Sequence, residues 1–262
     1  MAGLAHEICY REVHGTVDYS GRQVADAEAF RLYLSGPVRS RLEDTGQADA
    51  FQADLLALAT TEMASATLNS LLSSTTSHQA WEVGEALAEC LLTDNVGAQW
   101  PWNTERDKRT PKASLPGADL VGLIERDGTI YLLLGEVKTS SDTDSPPNVL
   151  FGRSGMIHQL DQLASNLNVN RSLLNWLHAR CKGTEFWPMF QEAATHYLRS
   201  GGKFLVLYGL LLRDTPAEEA DLASRAVALA RCIDNPCSAV LQAWYLPSPI
   251  DQWPLLAAED SS

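Results

Sequence analysis

The chain has 262 residues, 45% hydrophobic and 20% charged, with 33 acidic against 20 basic side chains and a formal net charge of −13. That composition suits a folded chain with a large core, and no apolar run reaches the roughly 18 residues that span a bilayer. Met1-Ala-Gly-Leu-Ala-His lacks the charged start and apolar core of a signal peptide, so no membrane partner and a cytoplasmic location are expected. The acidic excess argues against autonomous nucleic-acid binding, since affinity for phosphates comes from Lys and Arg.

Residues 1–75 read as a region of their own, an α/β accessory region that is mostly helical and a candidate for partner docking. His6–Val17 is strand-like, Asp18–Gly21 is a turn, and Ala25–Leu34 and Ala48–Leu72 are helical. Ser73-Ser-Thr-Thr-Ser77 is a polar break that offers helix N-caps. Residues 76–250 read as a second domain, opening on a helix over His78–Leu92. There Val83, Leu87, Cys90 and Leu91 recur as a buried stripe. Glu82, Glu85 and Glu89 share one face, ordinarily a solvated one because three like charges repel. Gly84 is a poor helix former and implies close approach by another backbone or a ligand. Glu85 beside it is therefore the preferred helix carboxylate for a site, with Glu89 second.

Next comes Pro116-Gly-Ala-Asp119, leading into an apolar strand to Ile124. Arg126-Asp-Gly128 makes a hairpin turn, and Thr129–Lys138 is the returning strand. Strand side chains alternate, so Glu136 and Lys138 face one way and Val137 the other, with Asp119 beside them. Two acids and a lysine at the ends of paired strands suit a divalent cation and charge developing on a phosphate. The same residues also occur on ordinary solvated sheet edges. Against that, Glu136 and Lys138 sit in or directly after an apolar run, where unpaired charge is costly. From the residues alone, a metal site and a structural ion pair both remain open.

Thr139–Pro147 has no packing signal and reads as a loop. Helices follow at Ser154–Asn166, Arg171–Ala179, Phe186–Leu198 and Pro216–Arg231, with strands at Lys203–Leu212 and Ala239–Leu246. Residues 251–262 read as a loose acidic tail. The alternation predicts an α/β fold with a central mixed sheet flanked by helices. Five scattered cysteines and six dispersed histidines form no zinc or iron–sulfur spacing. No HExxH, Gly-x-Ser-x-Gly or Walker-type phosphate loop occurs. Basic residues gather at Arg106, Lys108, Arg109 and Lys112, a candidate rim for the site.

A helix carboxylate, a strand aspartate, a hairpin and then Glu-x-Lys is an order that resembles the PD-(D/E)XK nuclease superfamily. Pro116 and Asp119 stand at its PD half with two residues between them, and Glu136 and Lys138 match its (D/E)XK half. More narrowly, Gly84-Glu85 through Leu92, Gly117-Ala-Asp119-Leu-Val and Gly135-Glu136-Val-Lys138 are similar to the HamA family. HamA proteins are nuclease subunits of the Hachiman anti-phage defence system and work with a helicase, HamB. The resemblance covers about Trp81–Ser141, roughly a quarter of the chain. It implies a restriction-endonuclease-like core and a Mg²⁺- or Mn²⁺-dependent deoxyribonuclease. DNA and a HamB-like helicase subunit are the implied partners. Asp119, Glu136 and the Val137 carbonyl are expected to ligate the metal, with Glu85 holding a second ion or orienting a water. Lys138 is expected to orient the attacking water or stabilise charge, and Gln159, on the following helix, to assist. The alternative is a catalytically inactive nuclease fold serving as a binding or assembly subunit.

Overall fold

A computed structural model describes residues 3–72, 78–107 and 117–259. Lys108, Arg109, Lys112, Pro116 and the break at residues 73–77 lie outside the described residues. Strands β1 (Glu7–His14) and β2 (Val17–Gln23) form a hairpin. Helix α1 (Ala27–Tyr33) continues through one turn of π-helix at Leu34–Val38 into α2 (Arg39–Glu43). Then come α3 (Thr45–Leu58), α4 (Glu62–Leu72), α5 (Ala80–Val96) and the short α6 (Thr104–Asp107). A second hairpin pairs β3 (Leu120–Arg126) with β4 (Thr129–Ser140). The chain closes with α7 (Met156–Ser165), α8 (Leu167–Cys181), α9 (Trp187–Arg199), β5 (Leu205–Arg213), α10 (Ala223–Leu229), β6 (Ser238–Tyr245) and α11 (Trp253–Ala258). Among these helices none is long and apolar enough to cross a membrane.

The six strands form one mixed sheet in the order β1-β2-β6-β5-β4-β3. The four inner strands pair in parallel, and an antiparallel hairpin closes each edge. Central β5 reads Leu-Val-Leu-Tyr-Gly-Leu-Leu-Leu-Arg and is buried throughout, as a parallel strand covered on both faces must be. One apolar layer joins Leu132, Leu134 and Leu207 to α7, α8, α9 and α10. The other joins Leu133, Val137 and Leu210 to α1, α5 and α11. The result is a three-layer α/β/α fold, in agreement with the expected class.

Several expectations need correction. The first 72 residues are not a separate unit: β2 pairs with β6 along its full length, and Phe30 and Leu34 pack with α5. The reversal expected at Asp18–Gly21 lies instead at Gly15, which adopts φ +58°. Gly21 is mid-strand, where a Cβ would come within 2.2 Å of the Tyr10 ring; the missing side chain makes room for that ring. The single helix expected over Ala48–Leu72 is two, separated at residues 59–61. The supposedly loose tail carries α11, whose Trp253 is fully buried against Phe30. The loop after β4 is pinned as well. The buried Arg213 donates to the Asp142 carbonyl at 2.8 Å, and Ser145 donates to Asp221 at 2.6 Å.

Candidate active site

The hairpin turn of β3 and β4 falls at Asp127 and Gly128, both at positive φ, and fixes the register of the two strands. β3 begins at Leu120, opposite Gly135, whereas β4 runs on to Ser140. Among the described residues, 136–140 pair along the strand with β5 alone, so the other edge of β4 has no strand partner there. Asp119 fills the start of that gap. Its main-chain N–H donates to the Gly135 carbonyl at 3.1 Å, and its Oδ2 accepts from the Val137 N–H at 2.9 Å. The N–H and C=O of a strand residue point to the same edge, so the Val137 carbonyl also faces the Asp119 side.

Glu136 is 1% exposed, and Lys138 Nζ lies 3.1 Å from its Oε2 and 3.8 Å from Asp119 Oδ2. The structure therefore brings together three of the expected residues, Asp119, Glu136 and Lys138, around the Val137 carbonyl. Burial, and then the adjacent Asp119 carboxylate, push the Glu136 carboxyl up to about 8, against the opposing pull of Lys138. Two acids held against one ammonium, with a main-chain carbonyl alongside, are an all-oxygen donor set suited to a hard cation. Mg²⁺ or Mn²⁺ would complete its shell there with waters.

Gln159 is on the correct side of the sheet. Glu136 pairs with Gly209 of β5, over which Met156 and Leu160 of α7 pack; a Cβ at Gly209 would sit 2.7 Å from Met156 Sδ. Gln159 belongs to that same helix, and its Oε1 is buried without a hydrogen-bond partner among the described residues. It is an orphaned buried acceptor on the helix that packs over the face of Glu136.

Glu85 and Glu89 are placed elsewhere. Helix α5 packs on the opposite face of the sheet, through Val83, Leu87 and Leu91. Gly84 does mark a close approach, but to the Thr139 side chain, 2.7 Å from where its Cβ would lie. Glu85 is half-buried and lines a small cavity with Arg41, His78 and Glu82. Among the described residues no group of three or more His, Cys, Asp or Glu side chains can hold a metal, so Glu85 does not complete the Asp119–Glu136 pair. Glu89 is buried and receives the Nε–H of Arg41; burial pushes its carboxyl up while Arg41 offsets that push. Glu82 accepts from the Gln79 N–H at 2.8 Å in a capping box. Glu82 and Glu89 are thus committed to capping and ion pairing, contrary to the expected solvation of that face.

The supposed basic rim is also partly neutralised. Arg106 lies 3.6 Å from Asp44, and Arg180 pairs with Asp107 at 2.8 Å while stacking on Trp176. Comparison of the chain with protein-family models, with curated proteins and with solved structures finds no match.

Proposed function

We propose that the chain is a Mg²⁺- or Mn²⁺-dependent deoxyribonuclease of the PD-(D/E)XK kind. In this proposal it serves as the effector subunit of an anti-phage defence complex with a HamB-like helicase. The observation that carries the nuclease proposal is the convergence of Asp119, Glu136, Lys138 and the Val137 carbonyl at the open edge of β4. Asp119, Glu136 and that carbonyl would hold the metal, which supplies Lewis acidity toward a phosphate and a more acidic bound water. Asp119 is anchored by the Val137 N–H, and Glu136 is shielded from bulk water. Lys138, one fifth exposed, can turn its remaining N–H groups to a phosphate oxygen or an attacking water. Gln159 would supply a further hydrogen bond from the α7 side.

Two features support a partner that brings the DNA. A net charge of −13 opposes binding to a polyanion. Helices α3 and α4 bury little and leave Phe51, Leu58 and Met63 at least 60% exposed.

The test is cleavage of single-stranded, duplex and nicked DNA with Mg²⁺ or Mn²⁺, with and without a co-expressed helicase. Lys138→Ala and Glu136→Ala should abolish cleavage while leaving folding and partner binding nearly intact. Wild-type rates in both variants would place the chemistry elsewhere. The inactive-subunit alternative rests on the lack, among the described residues, of a third carboxylate beside the pair, with Lys138 already within ion-pair reach of both acids. Absence of cleavage under every metal and partner condition would favour it.

A further inference from the structure

On the face of the sheet away from Glu136, the strands β2, β6 and β5 meet beside the end of α5, whose Val96 lines the space above them. The strand residues there alternate with core residues: Val17 and Tyr19 point into the layer under α7–α10, so Asp18, Ser20 and Arg22 point the other way. They open onto a cleft of about 510 Å³, lined also by Arg11, Arg126, Tyr208 and Gln242. Three arginines and one aspartate line this cleft in a chain that is otherwise strongly acidic.

The charge balance inside it is uneven. Arg11 engages Asp18 at 2.5 Å, which takes up the one acid. Arg22 donates to the His6 ring nitrogen at 2.8 Å, reaches Asn95 at 3.5 Å and lies over Trp244, while the Asp18 carboxylate attracts it from a distance. His6 Nδ1 is 3.0 Å from the Leu4 carbonyl, so the ring carries its proton there and its Nε2 accepts from Arg22. Arg22 Nε is buried without any partner among the described residues. Burial, and then the neighbouring Arg11 cation, pull the Arg22 guanidinium below its ordinary value. Arg126 donates to the Tyr208 hydroxyl at 2.7 Å, which leaves the phenol's own proton to be donated. Gln242 is buried and spends its carbonyl on the Trp244 N–H, so its amide N–H groups are left to donate. Ser20 adds a hydroxyl. Guanidinium, phenol, amide and hydroxyl donors thus line one cleft, and its one lining carboxylate, Asp18, is engaged by Arg11.

We propose that this cleft binds a small phosphorylated ligand of about mononucleotide size. Its phosphate would be met by the arginines that line the cleft, with Ser20, Tyr208 and Gln242 supplying further hydrogen bonds. A dianionic phosphate offers guanidinium donors more charge and more acceptor oxygens than a single carboxylate does. The volume of the open cleft is in the range that small ligands fill, and the chain's net charge disfavours a long polyanion in its place. The cleft is distinct from the Asp119–Glu136 site and does not rest on any nuclease activity.

The experiment is calorimetric titration of the full chain, in EDTA to keep divalent metals out of the other site, with inorganic phosphate, pyrophosphate and AMP. An oligonucleotide lacking terminal phosphates forms a separate arm. Saturable binding of at least one small phosphate is expected, weakened at least tenfold by Arg126→Gln and by Arg22→Gln. Arg126 ends the edge strand β3 and is only half-buried, so its variant keeps the test valid if Arg22→Gln fails to fold, which thermal melting without ligand would reveal. Failure of every small phosphate to bind at millimolar concentration would overturn the proposal. Binding unaffected by Arg126→Gln, or binding of the oligonucleotide alone, would overturn it too.

Discussion

Glu136→Gln should alter the stability of the metal-free protein by less than about 1 kcal/mol at pH 5 and make it markedly more stable at pH 8. Glu136 is almost wholly buried, and its carboxyl is pushed from an ordinary 4.5 up to about 8. A folded-state value above the unfolded one means that folding favours the protonated acid. Its contribution is fully present below about pH 4.5 and is lost as pH rises through about 8. Each pH unit between those values removes about 1.4 kcal/mol. Integrated from the two values, the loss is about 3 kcal/mol at pH 7 and about 4 kcal/mol at pH 8. Glutamine has nearly the same shape, keeps an oxygen for Lys138 and does not titrate. Urea unfolding of wild type and variant in EDTA, from pH 5 to pH 8.5, gives the difference directly, since other titrating groups cancel. The variant should gain steadily above pH 5 and level off above pH 8. Parallel pH profiles for the two proteins would show that Glu136 does not bear the buried charge and would refute the reasoning.

The same protonation should govern metal binding: each Mg²⁺ bound below pH 8 must displace the Glu136 proton, so affinity measured by calorimetry should fall about tenfold per pH unit toward pH 6. Gly84→Ala should destabilise by about 1 kcal/mol, because the clash of the new methyl with Thr139 Cγ2 outweighs its gain in helix propensity. Thr139→Ser in the same chain removes that methyl and should restore stability. Arg41→Ala should cost about 3–5 kcal/mol by leaving the buried Glu89 without its partner. Replacing Glu89 with Leu in that variant should recover most of the loss in thermal melts.

What was legible in the sequence was local. The Asp127-Gly128 turn fixes the β3–β4 register, and strand alternation then sets Glu136 and Lys138 on one face with Asp119 at hand. The apolar runs of β4, β5 and β6 and the stripe on α5 were equally plain. The fate of the α5 glutamates was not, because it depends on which face of the sheet the helix covers. Arg41, the residue that claims Glu89, lies 48 positions away, with no spacing signal to connect them. The β2 strand was hidden for a different reason. Asp18-Tyr-Ser-Gly21 has turn-forming composition, yet its polar side chains face an open cleft and its glycine makes room for Tyr10. Acidic composition near the C-terminus likewise concealed Trp253, a buried anchor for α11.

The place of the Asp119–Glu136–Lys138 group follows from unequal strand lengths. Had β3 begun two residues earlier, its main chain would have paired with Val137 and covered the edge of β4 on which the site stands. The ladder instead stops at the Leu120–Gly135 pair, and the Asp119 side chain takes the next donor, the Val137 N–H, in place of a backbone carbonyl. One carboxylate oxygen thus substitutes for a missing strand residue and leaves the carboxylate beside Glu136. Losing Asp119 would leave Val137 N–H without its partner as well as removing a charge. Asp119→Asn keeps an acceptor for that N–H while discarding the charge. The asparagine variant therefore separates the structural duty of this residue from its proposed metal-holding one: it should melt close to wild type and bind Mg²⁺ far more weakly. Asp119→Ala should lose on both counts.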